Sequence, residues 1–253
     1  MMATIEAARG VRSPYRHLWI VLALLIPAAL LGFAKSYFRG VTFSGLTVST
    51  LIHVHAALMA LWLLILIGQA WFIRTGRYKM HRWVGRSSFV IAPLIIVMTA
   101  VATHETLNRK PEITTLDARI EIYDLMQVIG FALAWALALV YRRRTPIHVR
   151  FMVSTVFAMG NAILFRIILN WFDWVPGFGK ETVAEIESVA AANGAVLLIM
   201  LLALIANDWR LGIKRSPFWL VTITTLIIHI GFFTFTKSDW WMSLVQWYAG
   251  LPS

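Results

Sequence analysis

Two histidines, His53 and His229, lie deep inside separate apolar stretches, where an ionisable side chain is costly and usually has a function. His53 lies eight residues after Gly45, where its stretch begins, and His229 lies eight residues before Lys237, where its stretch ends. At a helical rise of about 1.5 Å per residue, both lie about 12 Å below the membrane boundary. Matched depth on two helices suits the axial ligands of a haem b, or half of a metal site.

A third histidine, His55, follows His53 by two positions, which is about 200° around a helix. The two side chains therefore cannot both face one centre. His53 shares its helix face with the small residues Ala57 and Ala60, which leave room for a flat ring. We therefore expect His53, rather than His55, to be the ligand.

Further polar residues gather at the same predicted depth. In a haem site, Arg166 would hold a propionate. The alternative is a zinc-dependent hydrolase, in which the base that activates the metal-bound water is His104 or Glu121. The candidate zinc-site residues are His53, His229, Asp124 and His104. A third possibility is a non-catalytic membrane subunit or small-molecule binding module. In that case the histidines are structural, and Ser49 or Thr225 forms hydrogen bonds with them.

The opposite end of the predicted helices carries two similar motifs. One apolar stretch opens with His81, Arg82 and Arg86, and another opens with His148 and Arg150. Amides at a helix start, together with cations, suit a phosphate, another anion or a lipid headgroup. Anchoring by basic residues on the cytoplasmic side explains the arginines equally well.

The HRxxGR and HxRxM helix starts, together with the HxH helix, resemble a bacterial family of predicted membrane proteins of unknown function. The resemblance extends over roughly residues 53–209. It implies a multi-helix protein of the bacterial inner membrane and no particular activity. The family positions in this sequence are His81, Arg82, Gly85, Arg86, His148, Arg150, Met152 and Arg166.

Composition identifies the elements that must position these residues. Hydrophobic residues make up 59% of the 253, charged residues make up 14%, and the mean hydropathy is +0.73. These values predict a polytopic membrane protein, and runs of this length must be helices. There is no cysteine, which excludes disulfides and thiolate metal sites. The sequence thus predicts a single all-α domain over 1–253 with seven transmembrane helices: Leu18–Ala34, Leu46–Ile73, Trp83–Thr103, Ile120–Tyr141, Val149–Trp171, Ala195–Trp209 and Phe218–Thr236.

The charges predict how these helices are oriented. One side of the predicted bundle holds 15 of the 23 lysines and arginines, and the other side holds 10 of the 12 acidic residues. By the positive-inside rule the N-terminus is cytoplasmic and the C-terminus lies outside. The net charge of +11 then reflects contact with the bilayer, not with nucleic acid. A redox partner or other membrane subunits are further possible partners.

Two segments outside the seven helices are predicted to lie at the membrane surface. The turn Pro176–Gly179 precedes an acidic stretch that reads as a short outer helix, and the tryptophan-rich tail after Thr236 reads as an interfacial amphipathic helix. We expect a polar cavity that opens to the outer face between helices two, three, four, five and seven. A haem or metal in that cavity would serve electron transfer or cofactor handling.

Overall fold

The computed structural model describes residues 17–39, 41, 48–172 and 182–251 of the chain. Within those ranges there is no β-strand, and seven helical segments are long and apolar enough to cross a membrane. This confirms the predicted all-α, seven-helix fold, whereas the orientation in the membrane stays a prediction. We call the segments spans 1 to 7: Leu18–Phe38, Thr50–Arg74, Tyr78–Asn108, Thr115–Val140, Thr145–Trp171, Val183–Arg210 and Phe218–Lys237.

The acidic stretch that was predicted to form a separate outer helix is instead the beginning of span 6. A capping box starts this helix, because the hydroxyl of Thr182 accepts from the backbone N–H of Glu185, whose carboxylate accepts in return from the backbone of Thr182. No breaker follows, so the helix runs unbroken from Val183 to Arg210. The predicted turn at 176–179 lies outside the described residues.

Span 1 is not a uniform helix, and its irregularity shapes the bundle. It consists of the α-helices Leu18–Ala23 and Leu25–Phe33 and the π-helical turn Ala34–Phe38. The interruption at Leu24 has a simple cause, since Pro27 has no N–H to donate to the carbonyl of Ala23. The first helix packs on span 2, whereas the second packs chiefly on span 5. Span 1 therefore leans away from span 2 along its second half.

Two larger buried clusters hold the described part of the bundle together, and a smaller third cluster joins spans 6 and 7. One of the two larger clusters joins spans 1 to 5 near mid-membrane and is centred on Trp62, which is fully buried and donates to Thr155 Oγ1 at 3.0 Å. The other joins spans 3, 4, 6 and 7 to the C-terminal helix Asp239–Ala249. In that helix Trp241 is buried, whereas Trp240 and Trp247 are exposed. This two-sided helix is the one predicted from the tail.

Candidate functional site

A cavity of about 500 Å³ lies between spans 1, 2, 3, 4 and 5. Its walls come from the second halves of spans 1, 3 and 5 and the first halves of spans 2 and 4, so it occupies the predicted outer half of the bundle. The expectation that span 7 contributes was wrong: among the described residues span 1 lines the cavity and span 7 does not. The polar lining residues are Tyr37, His55, Thr99, Asp124, Gln127 and Arg166, and the rest are apolar.

Asp124 and Arg166 are the charged residues of this lining. The carboxylate of Asp124 accepts from Thr103 Oγ1 at 3.3 Å. The guanidinium of Arg166 donates to the Ala162 carbonyl of its own helix at 3.3 Å and lies 4.6 Å from the centre of the Phe33 ring. Within the described part of the chain, no ion pair joins Arg166 to Asp124 or to any other carboxylate. The Asp124 carboxylate and the Arg166 guanidinium therefore both keep hydrogen-bonding atoms that an occupant of the cavity can use.

His55 adds a hydrogen-bond acceptor to the same cavity. Thr99 Oγ1 donates to the carbonyl of Ile95 at 2.7 Å, which uses its only hydrogen. The 3.4 Å contact between Thr99 Oγ1 and His55 Nδ1 then requires Nδ1 to be the donor. This tautomer leaves a lone pair on His55 Nε2, which makes no hydrogen bond to the described residues.

His53, the predicted ligand, points elsewhere. Its side chain is exposed on the outside of span 2, and its Nδ1 is hydrogen-bonded to the hydroxyl of Tyr37. Tyr37 lies in the π-helical turn at the end of span 1 and also lines the cavity. The hydrogen bond therefore bridges spans 1 and 2 at the end where span 1 leans away.

His229, the other predicted haem ligand, is buried in a different part of the bundle. Its Nδ1 donates to the Thr225 carbonyl at 2.7 Å, and its ring packs edge-on to Tyr123 at 5.5 Å and directly against Gly194. Its Nε2 is buried without a partner in the described structure. Neither His229 nor His53 lines the cavity. The structure therefore does not bring the predicted axial pair to a common site, and this pair does not fit a bis-histidine haem.

The predicted zinc site is not assembled either. The described residues, which include all four candidate ligands, hold no group of three or more His, Asp or Glu side chains placed to bind a metal. His104 instead donates from Nε2 to the carbonyl of Leu251 at 3.0 Å and packs edge-on to Tyr248. Its contacts anchor the C-terminal segment to span 3. Only Asp124 of the four lines the cavity.

Tyr248 of the C-terminal helix lies close to the carboxylates of span 4. Its hydroxyl donates to the carbonyl of Ala100 at 2.6 Å. Burial, reinforced by the negative charges of Glu121 and Asp124, raises the pKa of the Tyr248 phenol above its ordinary value. The phenol therefore stays protonated and keeps its bond to span 3 at physiological pH.

The predicted anion site at the opposite end is only partly available. Arg82 and Arg86 are exposed, as a headgroup contact requires. His81 is half-buried, and its Nδ1 has no partner among the described residues. His148 Nδ1 donates to the Ala138 carbonyl at 2.8 Å.

Arg150 does not fit its predicted role in that site. It is buried and bound to Asp208 on span 6, with 2.6 Å between its Nη2 and Oδ1. Its charge therefore ties spans 5 and 6 together and is not available to a lipid headgroup.

The sequence analysis missed Tyr37, Thr99 and Gln127 as cavity residues. Gln127 had a detectable signal, because it follows Asp124 by three positions and so shares its helix face. Tyr37 had none, since its position depends on the π-helical turn. The resemblance of the two histidine-arginine motifs to a bacterial family stays a prediction. Compared with models of known families, with curated proteins and with solved structures, the chain gives no significant match.

Proposed function

We propose that this chain is an integral membrane protein that binds a lipid-soluble small molecule in the cavity formed by spans 1 to 5. The observation that carries the proposal is the placement of Asp124, Arg166 and His55 on a mostly apolar cavity wall without bonds to one another. A few convergent polar groups on an apolar wall are typical of small-molecule sites, whose volumes run from about 300 to 1,000 Å³.

The energetics support this interpretation of the polar groups. A charged side chain within the membrane costs several kcal/mol unless it is paired or solvated. Direct pairing of Arg166 with Asp124 would reduce that cost, but each charge instead faces the cavity with most of its hydrogen-bonding capacity unused. An occupant with its own polar end would supply the missing partners. Stability alone gives no reason to keep the two charges apart.

The shape of the cavity supports entry from the bilayer. Leu30 of span 1 and Leu64 of span 2 both line the cavity and are 53% and 55% exposed. The cavity therefore reaches the surface between these two spans, where span 1 leans away. An apolar molecule could enter sideways without crossing water. The Tyr37–His53 hydrogen bond joins the same two spans nearer the predicted outer face.

The haem, zinc and electron-transfer hypotheses have less support. His55 is the one histidine in the described lining, so two imidazole ligands are not available to a haem there. The described part of the chain has no cluster of side chains that could bind the zinc ion of a hydrolase. The cavity best suits the small-molecule binding module. The proposal keeps the bacterial inner membrane from the family resemblance and the cytoplasmic N-terminus from the charge distribution.

A photolabelling experiment tests the proposal. An apolar aryl diazirine is irradiated with the protein in lipid nanodiscs, and mass spectrometry maps the cross-links. We expect adducts on interior lining residues such as Met59, Phe131 and Met159. Ala162→Trp fills the cavity and should reduce these adducts at least several-fold. Ala191→Trp, at an exposed position outside the lining, should leave them unchanged.

Two outcomes would contradict the proposal. One is labelling confined to exposed apolar side chains such as Val90 and Ile199, without an effect of Ala162→Trp. The other is a Soret band in the visible spectrum of the purified protein, which would return the assignment to haem. Gel filtration of both tryptophan variants checks that they remain folded.

A further inference from the structure

We infer that the ligand of this cavity is an isoprenoid quinol, with its hydroxylated ring between His55, Asp124 and Arg166 and its tail leaving between spans 1 and 2. This inference rests on the proposed function and specifies the class of molecule that the cavity takes. Three observations support it: the balance of charge, the inventory of hydrogen-bonding atoms, and the position of the lateral opening.

The balance of charge favours a neutral head group. In their ordinary ionised forms Arg166 is positive and Asp124 is negative, and both line the same cavity. A carboxylate or phosphate head would be attracted by Arg166 but repelled by Asp124, and charge repulsion is strong where water is scarce. A cationic head meets the reverse problem. A neutral polar head avoids both.

The inventory of atoms favours hydroxyl groups on that head. His55 Nε2 has a lone pair and no partner among the described residues, and the Asp124 carboxylate accepts a single hydrogen bond, from Thr103. These two groups need donors from the ligand. Arg166 has several N–H groups to donate and needs an oxygen acceptor. Each phenolic hydroxyl of a hydroquinone both donates and accepts, so one ring can serve all three residues.

The apolar walls and the opening accommodate the rest of such a molecule. Phe131 and Ile95 are buried, apolar lining residues on the bundle side of the cavity, whereas Leu30 and Leu64 line it and border the exit to lipid. A long isoprenoid tail can remain in the bilayer while the ring is bound. The oxidised quinone has carbonyl oxygens only and offers no donor to Asp124 or His55. The site should therefore prefer the reduced form.

The test compares three labelled probes on the protein in nanodiscs: decyl-benzoquinol, decyl-benzoquinone and dodecanoate. Retention of each probe is measured after gel filtration, and empty nanodiscs give the background. We expect the quinol to be retained at about one per chain and to bind about tenfold more tightly than either other probe. Loss of one hydrogen bond to a charged group corresponds to about that factor.

Variants identify the groups responsible. Asp124→Asn and His55→Phe should each weaken quinol binding about tenfold and reduce the preference over the quinone. Glu112→Gln, at an exposed loop position, should change neither. If Asp124→Asn is unstable in detergent, His55→Phe tests the same preference without removing a charge.

The remaining outcomes distinguish the two hypotheses. Tighter retention of dodecanoate or of the quinone would overturn the quinol assignment but would leave the proposed binding function intact. Photolabelling of the cavity by the diazirine, without retention of any of the three probes, would have the same consequence. Absence of both photolabelling and retention would overturn both.

Discussion

A Cβ atom built on Gly194 would lie 2.3 Å from Cδ2 of His229, closer than real side-chain contacts allow. The imidazole therefore occupies the space that any other residue at position 194 would fill. Span 7 can approach span 6 this closely only because span 6 carries a glycine at the contact, a common device of membrane helices. The ring of His229 is thus held in place by this packing and by the bond from its Nδ1 to the Thr225 carbonyl.

Gly194→Ala should destabilise the protein. The added methyl collides with the ring of His229, and overpacking of this kind costs about 1 to 3 kcal/mol. Gly160→Ala is the matched control, because nothing lies within 4 Å of its Cβ position on span 5. Thermal unfolding followed by gel filtration in detergent measures both variants. Equal melting temperatures would show that spans 6 and 7 are not held as described.

Neighbouring tryptophans in the C-terminal helix should respond differently to truncation. Trp241 is 4% exposed and donates from Nε1 to the Ala118 carbonyl at 2.5 Å, whereas Trp240 is 66% exposed. Trp241→Ala should cost about 3 to 5 kcal/mol, because it leaves a cavity in the buried cluster that joins the C-terminal helix to the bundle. Trp240→Ala should cost much less and only weaken attachment to the headgroup region. Melting curves that fall equally for both would contradict the assigned buried face.

The ion pair between Arg150 and Asp208 should be essential to the fold. Both side chains are at most 5% exposed, and Asp208 also accepts from Ser216 at 2.6 Å. Asp208→Asn removes the negative charge that Asp208 places against this buried guanidinium, which costs about 3 to 5 kcal/mol. For comparison, Arg109→Ala removes the pair of Arg109 with Glu105, in which Arg109 is 59% exposed, and should cost less than about 1 kcal/mol. Unfolding titrations in denaturing detergent would reveal the difference, and similar midpoints would refute it.

The predicted orientation can be tested directly, because the chain has no cysteine. Glu112→Cys lies in an exposed loop on the predicted outer side, and Lys214→Cys in an exposed loop on the predicted cytoplasmic side. A membrane-impermeant maleimide applied to intact spheroplasts should label Cys at position 112 but label position 214 only after lysis. The reverse pattern would place the N-terminus outside.

The number of helices followed from the sequence, but several of their starts did not. Spans 2 and 4 were predicted to begin at Leu46 and Ile120 and instead begin at Thr50 and Thr115, directly after the capping residues Ser49 and Thr114. The beginning of span 6 was predicted as a separate helix, because acidic residues were read as a sign of a surface segment. The capping box in that stretch was the better signal.

The rotation of each helix about its axis did not follow from the sequence. Helical periodicity predicted that His53 and His55 face different directions, but not which one faces the cavity. In a soluble helix the apolar stripe would settle the question. In span 2 both the lipid-facing and the bundle-facing sides are apolar, so the stripe is lost.

The sequence by itself determined the fold class, the number of spans and the asymmetry of charge, because each depends on local composition and on the length needed to cross a bilayer. Only the tertiary structure decided that Asp124, Arg166 and His55 share a cavity while His53 and His229 do not. The physical reason lies in long-range packing: Pro27 breaks span 1, span 1 leans towards span 5, and Gly194 lets span 6 cover His229. The break at Pro27 is local, but the packing of span 1 on span 5 and of Gly194 on His229 joins residues far apart in the chain.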